Sequence, residues 1–259
     1  NALSDTFIVS SFREGECKKA TFSKTTGKWH INGSKLWITN SATDITKGIT
    51  IQSVTGVRSD GKPQLSCFLV PKETPGLNCK TMHEKMMWRG SNTGEIILDN
   101  VAVHPKNMLG EPGDGFKIMM KTLDAGRLSI GAMGLGLAKG ALSLAKKYAS
   151  ERSTFGKTIE KHQVISFKLA DMATRIEAAQ GLLYKACWLR QQNKPFETAA
   201  AMAKLYCSEV AEFCVREGQQ IFGGYGLMKE FPIERHYRDA ALLRIGEGTS
   251  EIQRIVIAR

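Results

Sequence analysis

The 259-residue sequence lacks the features that mark several common classes of protein. No apolar run approaches the length of a membrane span, and the start has neither the basic nor the apolar stretch of a secretory signal. Six cysteines occur without a C-x-x-C pair and without clustering near the five histidines, so no metal site is predicted. Scattered thiols of this kind are typical of a reducing compartment. There is also no internal repeat and no low-complexity tract.

The composition indicates a folded chain that is long enough for one large or two ordinary domains. Its hydrophobic fraction of 42% and charged fraction of 24% are those of a soluble globular protein. Lys and Arg number 36 against 25 Asp and Glu, and the resulting charge of +11 favours a polyanionic partner. Nucleic acid and a nucleotide-bearing thioester such as coenzyme A are both candidates. Because no basic helix, zinc finger or aromatic RNA-binding signature is present, we expect no nucleic acid.

The first part of the chain, to about residue 104, has the pattern of β structure. The runs Lys28–Ile31 and Lys35–Thr39 flank Asn32-Gly33, a dipeptide that supplies the positive φ angles of a type I′ hairpin. The runs Ile49–Val57 and Leu65–Val70 are joined through Asp60-Gly61, and Ile96–Val103 is a further strand. Several short strands with turns between them predict an antiparallel β-barrel or sandwich, which we assign to residues 1–112.

Beyond the Gly/Pro cluster Leu109–Gly115 the apolar spacing becomes helical. Helices are predicted over residues 116–150, 162–191 and 196–222, and from Pro232 to about Leu243. Four glycines in the first helix would allow close helix contact: Gly131, Gly134, Gly136 and Gly140. Residues 113–259 are therefore predicted to form an up-down four-helix bundle, and the whole chain an α+β multidomain protein.

The stretch Arg244–Arg254 places a carboxylate, Glu247, between two glycines immediately before a helix start. Gly246 and Gly248 would let another molecule approach closely, and the following backbone N–H groups would attract an anion. Ser250 to Gln253 fits the S-x-x-Q capping box. A catalytic base beside an anion seat is one interpretation, and an ordinary left-handed turn with a solvated glutamate is the other.

Two further patterns carry chemistry and have a plain structural alternative. Trp37 and Thr39 lie two apart on a strand, so they would share a face that could cover a flat heterocycle, unless the ring belongs to the core. Asp124 and Arg127 lie three apart on a helix and could form a simple ion pair. A dinucleotide-binding G-x-G-x-x-G fingerprint is absent, because Lys139 stands where the third glycine would be.

The sequence Glu247-Gly-Thr-Ser-Glu-Ile-Gln-Arg254 closely resembles the C-terminal signature of the flavin-dependent acyl-CoA dehydrogenases. Four other stretches resemble the same family in the same order: Asn1-Ala-Leu-Ser-Asp5, Leu36-Trp-Ile-Thr-Asn40, Arg152-Ser-Thr-Phe-Gly156 and Gln220-Ile-Phe-Gly-Gly-Tyr-Gly226. Five ordered matches across the chain make chance a poor explanation. The family normally has a helical domain ahead of the barrel, so we expect this chain, which opens inside a motif, to be a piece of a longer one.

The resemblance implies that the cofactor is FAD. Trp37, Ile38 and Thr39 would lie against the flavin ring. FAD supplied by a neighbouring subunit would be contacted by residues between the first and second predicted helices and at the start of the second, namely Arg152, Ser153, Thr154 and Gln163. Backbone groups at the end of the third helix would contact the adenine half, namely Gln220, Ile221, Phe222, Gly223 and Gly224. Thr249, Ser250 and Glu251 complete the implied cofactor site.

The same resemblance implies an acyl-CoA site. Ser4 belongs to a loop that touches FAD and the thioester region, although the Glu-Pro opening of the family motif is missing and Leu3 replaces a glycine. The other implied substrate-binding residues are Asp124, Ala125, Gly126, Arg127 and Gly248. Some relatives place the catalytic carboxylate at the position of Gly126; glycine cannot be a base, which leaves Glu247 in that role.

The implied reaction is the α,β-dehydrogenation of an acyl-CoA in fatty acid β-oxidation, with Glu247 abstracting the α-proton and hydride passing to flavin N5. Implied partners are an electron-transferring flavoprotein and further copies of the chain in a dimer of dimers, with no nucleic acid and no membrane span. The expected location is the cytoplasm of a bacterium or the mitochondrial matrix of a eukaryote. Alternatives are an acyl-CoA oxidase-like relative and a non-catalytic subunit of the same fold.

Overall fold

The computed structural model describes residues 19–259, which form a mixed α+β chain. The residues divide into two units, Asn1–Thr122 and Leu123–Arg259, here called unit 1 and unit 2. Unit 1 contains a seven-stranded sheet in the order β5-β6-β2-β1-β3-β4-β7. Its strands are β1 (Lys19–Ser23), β2 (Lys28–Thr39), β3 (Gly48–Val57), β4 (Pro63–Pro71), β5 (Leu77–Thr81), β6 (Thr93–Val103) and β7 (Met108–Leu109). Neighbouring strands are antiparallel apart from the parallel pair β1 and β3.

The hairpin predicted at Asn32-Gly33 is wrong, because β2 runs through this dipeptide as one strand of 12 residues. Residues on both sides of Gly33 pair with the same neighbour, β6, and β1 is the hairpin partner of the first half of β2. The Asn32 side chain accepts a hydrogen bond of 2.7 Å from the backbone N–H of Asn100 on β6. The dipeptide therefore marks an irregularity within a strand pair and not a chain reversal.

Two β-bulges shape the β2–β6 pair. At the first, β6 carries one extra residue near Asn100, whose φ is 51°. At the second, β2 carries one extra residue between Lys35 and Ile38, where Trp37 has a φ of 62°. A bulge of this kind bends the strand locally and redirects a side chain, so the Trp37 ring does not follow the regular alternation.

The other strand predictions for unit 1 are confirmed. β3 and β4 form the hairpin expected across Asp60-Gly61, and the run Ile96–Val103 lies within β6. Large apolar residues on β3, β4 and β6 are fully buried and pack together as the core of unit 1, among them Ile49, Ile51, Phe68, Val70 and Ile96. Burying this much apolar surface is the main force that holds the sheet together.

Helices dominate unit 2. The long segments are α1 (Gly115–Glu151), α2 (Gln163–Gln191) and α3 (Glu197–Phe222), followed by the shorter α4 (Pro232–Leu243) and α5 (Ser250–Ile257). The small hairpin β8 (Ser153–Thr154) and β9 (Lys157–Thr158) follows α1, and short 3₁₀ turns lie at Pro105–Asn107, Ile159–Lys161 and Gly223–Leu227. Each helix predicted from the apolar spacing is confirmed to within two residues. The division between unit 1 and unit 2 falls inside α1. The predicted domain boundary at 112/113 stays a prediction.

Small residues let α1 pack tightly within unit 2. A side-chain carbon at Gly134 would lie only 2.9 Å from the Cys207 backbone oxygen of α3, and one at Gly131 would lie 3.3 Å from Leu183. The expected close contact is therefore confirmed at these glycines. It is wrong at Gly136, which faces open space.

Within residues 19–259 one helix, α1, is long and apolar enough to cross a membrane by length and composition, so the prediction that no apolar run approaches such a length is wrong at this helix. Its apolar window has a mean hydropathy of 1.4. Within unit 2 this helix contributes a line of buried residues to the main core, including Leu135, Ala138, Ala141 and Ala145. The apolar composition is thus the one required of a central core helix.

The described cysteines are all free thiols. Burial raises the pKa of Cys67 to about 11 and the pKa of Cys207 and Cys214 to about 12. Because the thiolate is the reactive form, these three cysteines behave as small apolar core residues. No group of three or more His, Cys, Asp or Glu side chains that could hold a metal ion occurs within residues 19–259.

Gly76 and Gly61 give a matched test of the packing in unit 1. Both have positive φ, at 86° and 78°, but a side-chain carbon at Gly76 would lie 2.1 Å from the Asp99 backbone oxygen, whereas Gly61 faces open space. We expect Gly76→Ala to lower the free energy of unfolding by roughly 3 kcal/mol and Gly61→Ala by about 1 kcal/mol. Urea unfolding of the two variants checks this, and equal losses would contradict the described approach of β6 to Gly76.

Candidate active site

Glu247 lies in the turn between α4 and α5, in the left-handed backbone conformation. Its φ is 54°, and the φ of Gly248 is 93°. The backbone N–H of Gly246 donates to the Leu242 oxygen at 2.8 Å, and the backbone N–H of Ser250 donates to the Arg244 oxygen at 3.0 Å. The turn predicted as the plain alternative is therefore present, but its glutamate is largely enclosed by protein. The interpretation as a left-handed turn is therefore right about the backbone, and it is wrong about a fully solvated glutamate.

The capping box predicted at Ser250 and Gln253 is wrong by one residue. Thr249 is the N-cap of α5, and its hydroxyl accepts a hydrogen bond from the Ile252 N–H at 3.4 Å. Ser250 is instead the first residue of the helix and is buried. The Gln253 side chain turns back toward the loop, where its Nε2 donates to the backbone oxygens of Glu247 at 3.3 Å and Gly248 at 2.9 Å. The glutamine thus stabilises the turn and not the helix start.

The Glu247 carboxylate packs against α1 at Gly126. A side-chain carbon at that glycine would lie 2.7 Å from Oε2 of Glu247. A side chain on residue 126 would therefore collide with the Glu247 carboxylate, and glycine at this position leaves the space to Glu247.

Buried charges surround the Glu247 carboxylate within unit 2. Burial raises its pKa above the ordinary value, and the positive charges of Lys204 and then Arg127 act in the opposite direction. Arg127 is itself buried and forms an ion pair of 2.5 Å with Asp124, as predicted from their spacing. Burial raises the pKa of Asp124, Arg127 lowers it and Glu197 raises it further. Ala125 lies beside this pair on α1.

Lys204 of α3 belongs to the site but was missed in the sequence. Its ammonium donates to the Gly248 backbone oxygen at 2.7 Å. Burial lowers its pKa to about 8, Glu247 raises it, Arg127 lowers it and Glu251 raises it. The signal that could have found it is its position on the apolar face of α3, three or four residues from Ala200, Ala201, Cys207 and Ser208, all of which are buried.

A second feature of unit 2 is a cavity of about 820 Å³. Its lining combines the β8–β9 region with the end of α3, and so brings together two separately predicted cofactor stretches: Arg152 and Thr154 with Ile221, Phe222, Gly223 and Gly224. The lining also holds the aromatic residues Tyr148, Phe155 and Tyr225. Ser153, Gln163 and Gln220 are exposed residues next to the cavity in sequence and are not part of its lining.

Local sequence explains the walls of this cavity. Phe155 and Gly156 both have positive φ, at 49° and 78°, which is the combination that closes a tight hairpin between β8 and β9. The Thr154 hydroxyl lies 3.0 Å from Nε2 of His162. At the other wall, α3 ends at Phe222, and Gly223 follows it with a φ of 58°. The Tyr148 and Phe222 rings stack with centroids 4.2 Å apart.

In unit 1 the predicted flavin-contacting stretch lies at the end of β2. The Trp37 side chain is 67% exposed and Thr39 is also exposed, whereas Ile38 is 6% exposed and belongs to the core. The alternative in which Trp37 is a core residue is therefore wrong. Because the Ile38 side chain points into the core, this residue could contact a ligand through its backbone alone.

The remaining predicted residues are placed as follows. Thr249 caps α5, Ser250 is buried, and Glu251 is exposed. Hydrogen bonds from its own backbone N–H and from Thr249 lower the pKa of Glu251. Ser4 and the rest of Asn1–Asp5 lie outside the described residues.

Comparison with known proteins shows that the chain belongs to the acyl-CoA dehydrogenase family. The acyl-CoA dehydrogenase middle domain matches residues 10–101, and the acyl-CoA dehydrogenase C-terminal domain matches residues 113–259. The chain is 49% identical over 229 residues to a probable acyl-CoA dehydrogenase of Bacillus subtilis, covering 88% of this chain and 60% of that protein. It therefore spans little more than half the length of the curated relatives that it matches.

Other relatives agree with this membership. The chain is 45% identical over 240 residues to the mitochondrial short-chain specific acyl-CoA dehydrogenase of Bos taurus, covering 92% of this chain and 58% of that protein. The structure of butyryl-CoA dehydrogenase from Megasphaera elsdenii is similar with a TM-score of 0.89 and 43% identity, over 94% of this chain and 63% of that chain.

Gly126 gives a direct test of where the Glu247 carboxylate lies. We expect Gly126→Ala to displace this carboxylate and to lower turnover of acyl-CoA by about 10-fold or more, because small misplacements of a reacting group are costly. Alanine favours a helix over glycine, so the melting temperature should not fall. The matched control is Gly136→Ala, also in α1 and facing open space. Equal turnover in the two variants would contradict the described contact.

Proposed function

We propose that the full-length protein containing this chain is an FAD-dependent acyl-CoA dehydrogenase that removes hydrogen from the α and β carbons of an acyl-CoA thioester. The observation that carries the proposal is the Glu247 carboxylate, which is enclosed in unit 2 between α1 and α3 on a left-handed turn. In a chain of this family, the role of a catalytic base is the explanation that best fits a partly buried carboxylate beside Gly126.

Glu247 acts as the general base in this proposal. An α-proton beside a thioester is much less acidic than a carboxylic acid, so the base must be made stronger than a solvated glutamate. Burial does this by raising the Glu247 pKa, and a substrate that seals the pocket would raise it further. The base must be ionised to accept the proton, so turnover is expected to increase as the pH rises through the Glu247 pKa.

The resemblance assigns the backbone N–H of Glu247 as a donor to the thioester oxygen, where negative charge develops as the α-proton leaves. The fixed turn holds this N–H and the carboxylate in one rigid piece of backbone. Asp124, Ala125, Gly126 and Arg127 form the α1 side of the same site. Gly248 is assigned to the substrate through its backbone, because a side-chain carbon there would lie 2.8 Å from Gln253 Nε2. The buried Arg127–Asp124 pair is expected to hold the wall of the site in place.

The residues in unit 2 fit a dinucleotide cofactor. The cavity of about 820 Å³ combines the Arg152 guanidinium and the Thr154 hydroxyl with aromatic rings and with two glycines, Gly223 and Gly224, that face open space. A guanidinium matches phosphate oxygens, bare glycine backbone allows close approach, and aromatic rings pack on a base. When bound, FAD supplies the hydride acceptor of the reaction.

We assign the adenine half of an FAD molecule to this cavity. In unit 1, the resemblance separately assigns a flavin ring to the exposed Trp37 and Thr39, with the Ile38 backbone between these two residues. Ser153, Gln163 and Gln220 are placed at the rim of the cavity, and Thr249, Ser250 and Glu251 at the α5 start. The family resemblance supports FAD supplied by a neighbouring subunit, and therefore an assembly of several copies, proposed as a dimer of dimers.

Short acyl chains are the proposed substrates, because the bovine relative is named as short-chain specific and the Megasphaera elsdenii protein as a butyryl-CoA dehydrogenase. The proposed electron acceptor is an electron-transferring flavoprotein. Relatives come from bacteria and from mitochondria, which supports a cytoplasmic or matrix location. The finer architecture that we propose is a β-barrel for residues 1–112 and an up-down four-helix bundle for residues 113–259.

Replacement of Glu247 tests the proposed reaction. We expect Glu247→Gln to retain FAD and to bind butyryl-CoA, but to lose turnover by about 1,000-fold or more, because glutamine cannot accept the proton. Bleaching of the flavin absorbance under anaerobic conditions measures the reaction, and Glu177→Gln, an exposed change in α2, is the matched control. Substantial bleaching by Glu247→Gln would rule out this base. Oxygen consumption during turnover would instead indicate an oxidase-like relative.

Replacement of Arg152 tests the cofactor assignment. Loss of one charge-assisted contact to phosphate should weaken FAD binding, so we expect Arg152→Ala to raise the Kd for FAD about 10-fold or more. The comparison is Arg190→Ala, which removes an exposed guanidinium of α2 outside the cavity lining. Fluorescence titration of the apoprotein with FAD measures both, and equal Kd values would place the phosphates elsewhere.

A further inference from the structure

Lys204 lies on the face of α3 where the neighbouring residues are small and buried. Its neighbours at three- and four-residue steps, Ala200, Cys207 and Ser208, are fully buried, and Lys204 itself is 0% exposed. A lysine is rarely buried in this way, because its ammonium loses hydration that only strong partners can replace. The partner here is the backbone oxygen of Gly248, which accepts a hydrogen bond from Nζ of Lys204 at 2.7 Å. Gly248 directly follows Glu247 in the chain.

The Gly248 oxygen accepts from two buried side chains at once. Gln253 Nε2 lies 2.9 Å from it, in addition to the 2.7 Å contact of Lys204. Glu247 is a non-glycine residue at positive φ, a conformation that persists only where the surroundings impose it. The Ser208 hydroxyl lies 2.7 Å from the Lys204 backbone oxygen and 2.9 Å from the Leu243 backbone oxygen, and its single hydrogen can be donated to either. The Leu243 contact joins α3 to the end of α4 just before the turn.

Lys204 also differs from the other positive group near Glu247. Arg127 is engaged by Asp124 at 2.5 Å, so much of its charge is balanced locally. The Lys204 ammonium is bound to a neutral carbonyl, and Lys204 lowers the Glu247 pKa more than Arg127 does. The remaining charged groups near the turn are Glu251 at the start of α5 and two exposed ion pairs, Arg244–Glu212 and Arg254–Glu209.

We propose that Lys204 is a positioning residue for Glu247: its buried ammonium clamps the Gly248 oxygen, fixes the left-handed turn, and supplies the opposite charge that keeps the carboxylate ionised. This inference rests on the proposed function, in which Glu247 must be an aligned and ionised base. Lys204 contacts the backbone of the turn and takes no part in proton transfer itself.

Three variants of the FAD-loaded full-length protein test the proposal. Lys204→Met removes the charge and the donor, Lys204→Gln removes the charge but keeps an N–H donor, and Lys185→Met removes an exposed lysine of α2 as a control. For Lys204→Met we expect kcat with butyryl-CoA to fall about 10-fold or more, while FAD content and KM change less than about two-fold. Lys204→Gln should lose less, and Lys185→Met nothing.

Two readouts separate positioning from a merely structural role. Without the Lys204 charge the Glu247 pKa rises, so the acid limb of kcat against pH should move up by about one unit in both Lys204 variants. Hydrogen exchange of the peptide 244–252 should be faster in Lys204→Met than in wild type or Lys204→Gln, because its turn has lost a donor.

Wild-type kcat and an unmoved acid limb in Lys204→Met would overturn the proposal. Loss of FAD or of folding in both Lys204 variants would overturn it in favour of a purely structural role. If wild type itself fails to oxidise butyryl-CoA, the proposed function fails, and hydrogen exchange still decides whether Lys204 holds the turn.

Discussion

The left-handed turn at Glu247 and Gly248 is the constraint on which the candidate site depends. A glutamate in this conformation costs roughly 1–2 kcal/mol relative to a glycine. That cost is offset by hydrogen bonds from Gln253 and Lys204 to the backbone oxygens of the turn. These hydrogen bonds fix the backbone from which the Glu247 side chain extends toward Gly126.

The buried charges around this turn have to be considered together. Asp124 and Glu247 balance Arg127 and Lys204, so the cluster of these four groups is neutral when all are ionised. The pKa of Glu247 is raised by burial, so this group favours folding most at low pH and loses that contribution as the pH rises through its folded pKa. The Lys204 pKa is lowered to about 8, so its contribution is lost as the pH falls through 8. The raised pKa of Glu247 and the lowered pKa of Lys204 both show that burial opposes the charged forms of these two groups.

Much of the fold was predictable because helices and hairpins depend on the spacing of apolar and turn residues that are near one another in the sequence. The apolar repeats predicted α1 to α3, Pro232 predicted the start of α4, and Asp60-Gly61 predicted the β3–β4 hairpin. The Asn32-Gly33 prediction failed because Asn32 does not adopt the positive φ of a turn and Gly33 has a φ of 140°, so the strand continues. Pairing with a distant strand, β6, sets this conformation, and local sequence does not show that pairing. The capping box failed because Thr249 and Ser250 are equally good caps by residue type.

Site residues that belong to a family motif could be predicted from the sequence. Site residues whose role depends on tertiary packing could not. Glu247, Arg152 and the Gln220–Gly226 stretch were found from their resemblance to a family, and the structure brings Arg152 and Gly224 to one cavity. Lys204 was missed since its role depends on which turn faces α3, and that is a tertiary contact. A lysine on an otherwise apolar helical face was its only local signal.

The most direct measurement of the central claim is proton exchange at the α-carbon of tert-butylacetyl-CoA, whose β-carbon carries no hydrogen, followed by NMR in deuterium oxide. The account predicts fast exchange with wild type that increases with pH and disappears in Glu247→Gln; equal exchange in both proteins would contradict it.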